Sequence, residues 1–285
     1  MFEIVDTHTH AISPDTARYP LAPVGGHQSD WSAKRPVDYA GLLAQMDKAG
    51  IARAMVVQAS TVYGNDNSYV VDAVRAHPDR FRGVFSIDVL AADAVSQLQR
   101  WLDAGLDGLR LFTTGSTMPG QADWLDDERS FPVWDYAQQH GVSICLQMTA
   151  AGIPALIRML EQFPRSRVLL DHLARPDLAE GPPYASAAPL FSLAKYPGVN
   201  LKLTNRTIHE SARGASTPAA FFPRVIEAFG ASRIAWGSNF PAAEGALATL
   251  LDEALSALAG VTEADRAWIF GDTARSIYPG LNQKA

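Results

Sequence analysis

The sequence predicts an α/β chain wound as a (β/α)8 TIM barrel, and three observations carry that expectation. Eight short β-rich apolar runs recur along it: FEIVDTH, RAMVVQA, FRGVFSI, GLDGLRLF, VSICLQM, RVLLDHL, GVNLKLT and RIAWGS. Amphipathic stretches of helical period separate them. The length of 285 residues suits one such barrel, which takes about 250. Apolar runs bounded by helices read as parallel strands buried on both faces. An open doubly wound sheet is the competing arrangement. Against it, no glycine-rich phosphate loop follows the first run.

Taken in order, the first run leads into a Pro/Gly/Ser-rich loop over 11–37. The predicted helices then include VDYAGLLAQMDKAG, NSYVVDAVRAHP, AVSQLQRWLDAG, FPVWDYAQQHG, GIPALIRMLEQFP and FFPRVIEAFG. Several stop at Gly or just before Pro, as helix C-termini do. In VYGNDNSYV, Asn67 or Ser68 is expected to cap the helix that follows. A second long loop covers 174–190, after the sixth strand. Long loops on a barrel are usually active-site walls or lids. TEADRAWIFGDTARSIYPG reads as a closing helical pair, with Asp272 or Thr273 as an N-cap. No linker, repeat or low-complexity tract divides the chain, so 1–285 is expected to form one domain.

An apolar content of 47% is enough for a large core. With 24 basic against 30 acidic side chains the formal charge is -6. No basic tract offers a surface to nucleic acid or to an anionic membrane. No apolar run reaches the roughly 20 residues of a membrane helix. Cys145 is the single cysteine, which excludes an intramolecular disulfide and fits a reducing cytoplasm. It lies within SICL and reads as buried and inert. Residues 1 to 10 alternate like a strand, without the basic-then-apolar pattern of a signal peptide. A cytoplasmic protein is therefore expected. Nothing in the sequence speaks for or against a homo-oligomer.

In a barrel of this kind the chemistry sits at the C-terminal ends of the strands. Polar residues close almost every predicted strand: His8 and His10, then Gln58, Arg110, Gln147, His172, Arg206 and Asn239. His8 and His10 are two apart and point to the same side of a strand. Each residue has a bland alternative. A lone histidine is more often structural than catalytic, the arginines could make rim salt bridges, and the glutamines could be hydrogen-bonded plugs. Yet leaving so many polar groups unpaired inside would cost a few kcal/mol apiece. His77 and His140 sit at helix ends, where a cation suits the dipole, and read as structural; His209 falls in a post-strand loop and stays open. In the first loop, Tyr19 is a candidate substrate contact.

DTHTH at the start, LLDHLARP near the sixth strand and WGSNFP at the eighth together resemble the amidohydrolase superfamily. The similarity runs from residue 4 to about 275. It is strongest to the branch of 2-pyrone-4,6-dicarboxylate lactonase, sugar lactonases and galactarolactone isomerase. The resemblance implies a distorted (β/α)8 barrel. In metal-dependent members, the HxH pair, a strand-5 or strand-6 histidine and a strand-8 aspartate hold zinc or a similar ion. Here strand 4 offers a cation, Arg110, strand 5 offers Gln147, and strand 8 offers the neutral Asn239. Only His8, His10 and His172 remain as ligands for a single divalent metal such as zinc, and the lactonase branch is metal-free. The expectation is no required cofactor.

Two arginines and three histidines at one barrel mouth make a positive cup, and arginine's planar fork suits a carboxylate or sulfonate. The expected substrate is a small anionic lactone, held by Arg110 and Arg206 with Gln147, Gln58 and Tyr19 nearby. In the lactonase a strand-8 aspartate activates water. Asn239 has no useful basicity, so a neutral histidine must serve, and His172 is the choice. Lactone hydrolysis stands first. Intramolecular acyl transfer, as in the isomerase, comes next. A metal-dependent decarboxylase and a non-catalytic binder of an acidic ligand stand lower.

Overall fold

The computed structural model describes residues 2–113 and 124–283. Eight parallel strands follow one another around a single sheet in chain order. They are β1 Ile4–Thr9, β2 Ile51–Val57, β3 Phe81–Phe85, β4 Gly108–Phe112, β5 Ser143–Gln147, β6 Arg167–Asp171, β7 Val199–Leu203 and β8 Ile234–Trp236. Each coincides with one of the eight apolar runs. A parallel bridge between Thr9 and Phe240 joins the segment after β8 back to β1. The barrel fold and the α/β class expected from the sequence are those observed.

Alternation along the strands sorts side chains into two cores. Ile144 and Leu146 of β5 face outward with Leu109 of β4 and Leu201 of β7, against the helical shell. Cys145 faces inward, with Val5, Met55, Val84, Leu169 and Ala235. The inner core is closed from below by the chain's last segment, through Ile277, Tyr278 and Leu281. There Tyr278 Oη meets Cys145 Sγ at 3.0 Å, and Ser143 Oγ donates to the Ile277 carbonyl at 3.1 Å. Cys145 is buried, and burial raises its thiol pKa.

β1 breaks the simple alternation. Asp6 pairs with Ala54 but Thr9 with Val56, so β1 spends one residue more than β2 over the same span. That is a bulge. It explains how Val5 and His8, three apart, both face the barrel axis. β8 must approach β1 closely at this point. A Cβ on Gly237 would lie 2.7 Å from His8 Cβ and 2.9 Å from its backbone nitrogen, so only glycine fits.

Two capping expectations fail for local reasons. Asn67 does not cap the helix Ser68–Ala76. Its buried side chain bridges the Asn65 and Ser86 carbonyls and accepts from Ser86 N–H, pinning the loop to the end of β3. Asp66 caps instead, accepting from Ser68 N–H at 3.0 Å. Near the C-terminus, a π-helical turn over Trp268–Asp272 runs from the helix Glu263–Ala267 into the helix Thr273–Ile277 without a break. Asp272 is therefore helical and caps nothing. Thr273 Oγ1 donates to the Ala231 carbonyl. Among the described residues no helix is long and apolar enough to cross a membrane.

Candidate active site

A cavity of about 170 Å³ opens at the C-terminal ends of the strands. His10, Gln147, His172 and Asn239 line it, together with the arginines Arg110, Arg175 and Arg206. Five of the strand-end residues singled out in the sequence thus converge with His10. Trp31, from the first long loop, packs tilted against His10 with ring centroids 5.2 Å apart.

The histidines differ in what holds them. His10 Nδ1 lies 2.9 Å from the Val57 carbonyl. A carbonyl only accepts, so Nδ1 carries the proton and Nε2 a lone pair. His172 Nδ1 meets Thr204 Oγ1 at 2.7 Å. Burial, with Arg110 and Lys202 nearby, lowers the pKa of both His10 and His172 to about 3. The Asp171 carboxylate works against that drop in both. His172 also begins an unusual backbone turn. Residues His172, Leu173, Ala174 and Arg175 all have φ between 53° and 56°. Left-handed non-glycine residues cost of order 1 kcal/mol each and gather at functional sites. This turn sets His172 beside the barrel axis and brings Arg175 to the cavity three residues later.

The arginines are unequal. Arg110 is buried and committed: Nε donates to Asp171 at 2.9 Å and Nη2 to Gln147 Oε1 at 3.2 Å. Its guanidinium also lies over Phe112. Among the described residues, Arg175 Nε and Nη2 are buried with no hydrogen-bond partner. Desolvation and the nearby Arg206 and Arg110 lower its pKa to about 10. Arg206, on the helix Asn205–Ser211, is exposed and lines the cavity from the other side. Among the described residues, Arg175 and Arg206 therefore carry positive charge with no carboxylate paired to it, whereas Arg110 is largely a fixed wall.

Two candidates lie elsewhere, which corrects the sequence reading, and a third, His8, sits one layer beneath the cavity instead of on its lining. Gln58 is fully buried and donates to the Gly64 and Asp66 carbonyls, so it shapes the loop after β2. Tyr19 bonds Asp72 through its hydroxyl and sits among Arg18, Arg75 and Arg100, outside the cup. His8 is fully buried behind the wall; its ring packs edge-on to His10 at 4.9 Å and tilted to His172 at 5.4 Å. Outside the site, His140 stacks on Tyr136, His77 packs on Phe81, and His209 pairs with Glu253 at 3.1 Å.

Sequence reasoning missed Asp171, Lys202 and Arg175. Asp171 is fully buried between two cations, Arg110 Nε at 2.9 Å and Lys202 Nζ at 2.8 Å. Those cations outweigh its burial and lower its pKa to about 2. The signal for Lys202 was a lone charge inside the apolar run NLKL; for Arg175 it was only proximity to His172. A metal does not fit this donor set. Among the described residues no three His, Cys, Asp or Glu side chains converge as ligands. The carboxylate beside the histidines is already neutralised by two cations.

The family model described as amidohydrolase matches residues 5–280. The chain belongs to the amidohydrolase family. This amidohydrolase is 28% identical to an L-fucono-1,5-lactonase of Burkholderia ambifaria over 72% of the chain and 69% of the relative. It is 26% identical to a 2-pyrone-4,6-dicarboxylate hydrolase of Comamonas testosteroni, over 83% of the chain and 76% of that protein. To a D-galactarolactone isomerase of Agrobacterium fabrum it is 25% identical, over 83% and 76%. Among solved structures, a Pseudomonas putida protein described as a 2-pyrone-4,6-dicarboxylic acid hydrolase aligns with a TM-score of 0.77 at 22% identity, covering 98% of each chain. A zinc-bound amidohydrolase from Burkholderia multivorans aligns at 0.76 with 20% identity, over 97% and 99%. At those identities the two structures speak to the fold.

Proposed function

We propose that this amidohydrolase opens a small anionic lactone with water, without a required metal. The observation that carries the reading is the cavity itself, which gathers His10, His172 and the Asn239 amide beside Arg175 and Arg206, with burial keeping both imidazoles neutral. The lactonase activities named for its relatives support the same chemistry. Arg175 and Arg206 bind the substrate's carboxylate or sulfonate. We assign His172 the Nδ1–H tautomer, with Thr204 Oγ1 accepting, which leaves an Nε2 lone pair for water. The water oxygen adds to the acyl carbon while His172 takes its proton; the ring C–O bond then breaks and the proton passes to the leaving oxygen. Asn239 orients the water or a substrate hydroxyl. The same cup suits acyl transfer between two hydroxyls of one substrate, since Asn239 is no base, and the isomerase relative favours keeping that second reading. We read the protein as cytoplasmic, on its single cysteine.

The test is turnover of a panel of dicarboxylate and sugar-acid lactones in 18O-labelled water, followed by NMR and mass spectrometry. One 18O in a ring-opened acid supports hydrolysis. A label-free isomer selects acyl transfer. Ligand-induced thermal stabilisation without turnover sinks both and leaves a binder. Metal analysis, with activity before and after chelation, tests the metal-free reading.

A further inference from the structure

We infer that Lys202 is a positioning residue: its ammonium, held between Asp171 and His8, fixes His8 as the Nε2–H tautomer and so makes a buried hydrogen-bond donor beneath the cavity. The inference rests on the lactone reading for its catalytic consequence, but not for its structural core.

Lys202 lies on β7 and is fully buried. An apolar residue in that strand would avoid the cost of burying a charge, several kcal/mol before compensation. The compensation is specific. Nζ lies 2.8 Å from Asp171 Oδ1 and 3.1 Å from His8 Nδ1, with Cys145 Sγ at 3.6 Å. Paired with a carboxylate, the amine is an ammonium, and an ammonium only donates. His8 Nδ1 must therefore accept, which puts the ring's proton on Nε2. Among the described residues that nitrogen is buried with no partner, an arrangement expected of a donor awaiting an acceptor. Burial and the Lys202 and Arg110 charges also hold the ring neutral.

His10 carries the opposite arrangement, because the Val57 carbonyl takes its Nδ1 proton. Two imidazoles with centroids 4.9 Å apart thus present opposite polarity at Nε2, one donor and one acceptor. Asp171 shows why the ammonium matters. Its Oδ1 lies 3.7 Å from His8 Nδ1. Without Lys202 between them, the carboxylate would draw the proton onto Nδ1 and leave Nε2 a lone pair. A developing oxyanion would then meet an acceptor where it needs a donor.

The experiment is 15N NMR of histidine-labelled protein without substrate, with the His8 signals assigned by His8→Gln. The wild-type chain should show Nε2–H at His8 and Nδ1–H at His10. In Lys202→Met, where Arg110 still neutralises Asp171, His8 should move to Nδ1–H. In Lys202→Arg, which also only donates, Nε2–H should persist. On a lactone that the wild type opens, K202M should lose at least about tenfold in kcat with KM little changed, since one oxyanion donor is worth about 100-fold or more. Finding Nδ1–H at His8 in the wild type overturns the proposal even if K202M does not fold, as does an unmoved tautomer in K202M. If no lactone is turned over, the proposed function falls and the tautomer result still decides this inference.

Discussion

The Asn239 backbone N–H donates to the His8 carbonyl at 2.8 Å, tying the end of the eighth strand to the first. Asn239 makes this bond in the left-handed region, at φ 59°. Asn and Asp tolerate that conformation better than other side chains with a Cβ. An asparagine here therefore serves the backbone as well as the cavity it lines, and Asp is the one charged replacement the turn accepts cheaply.

Asn239→Asp should keep the fold and raise hydrolysis by about tenfold or more, because a carboxylate beside Arg175 and Arg206 can take a proton from water. If the wild type isomerises, the variant should hydrolyse. Incorporation of 18O measures both, with metal content checked alongside. Loss of all turnover in a folded variant would show that Asn239 binds substrate and that no water base was missing.

Arg175→Met and Arg206→Met should each raise KM for an anionic lactone by roughly 30-fold, about 2 kcal/mol for a charge-assisted hydrogen bond. Their kcat should change much less. A neutral lactone of the same ring size should show no such difference. Equal effects on both substrates would mean that these side chains shape the cup without reading charge.

The fold was legible because eight buried strands and their helices write their periods plainly, and glycine and proline end the helices. The convergence of His10, Gln147, His172, Arg206 and Asn239 was legible for the same reason, since strand-end position fixes it. His8 was placed too high: it precedes His10 by two residues on β1 and is fully buried beneath it, and the bulge that turns it toward the axis leaves no pattern in seven residues. Gln58 and Tyr19 were misread because backbone carbonyls and Asp72 satisfy them, and those partners are set by loop paths. Arg110 looked like a free anion clamp until Asp171 appeared beside it. Asp171, two strands away in the barrel, had only the residue before His172 to announce it.

Gly237→Ala should destabilise the protein by about 1–3 kcal/mol, the usual cost of overpacking. The new methyl meets His8 Cβ and backbone, so activity should fall further than the stability loss accounts for. Urea midpoints and kcat at a temperature where the variant is fully folded separate the two. Normal kcat in the folded variant would show that the place of His8 does not matter to turnover.

His172→Asn should lower kcat by about 100- to 10,000-fold, the usual worth of a general base. Its fold should survive, since the hydrogen bond to Thr204 is replaceable by an amide. His10→Asn tests the alternative, because His10 Nε2 is also a lone pair at the cavity. If the His10 variant loses far more than the His172 variant, the base assignment passes to His10.

Acid should destabilise this protein earlier than its carboxylates alone would. His10 and His172 titrate at about 3 in the folded chain, against roughly 6.5 when unfolded. Between those values the unfolded chain binds more protons. Stability therefore rises with pH through that window and levels off above about 6.5. Each histidine contributes a slope of at most about 1.4 kcal/mol per pH unit, and His8, lowered in the same direction, adds to it. Asp171 acts lower down: its contribution is present above about 3.8 and is lost as pH falls toward 2. Asp6 opposes both, since burial raises its pKa and the folded chain keeps its proton longer. Urea midpoints measured from pH 4 to 8 should fall steadily below 6.5, and the double variant His10→Asn, His172→Asn should flatten that fall. The same neutrality leaves kcat/KM flat from pH 5 to 8. A kinetic limb near 6.5 that His172→Asn removes would show a solvated imidazole and end the buried-neutral reading.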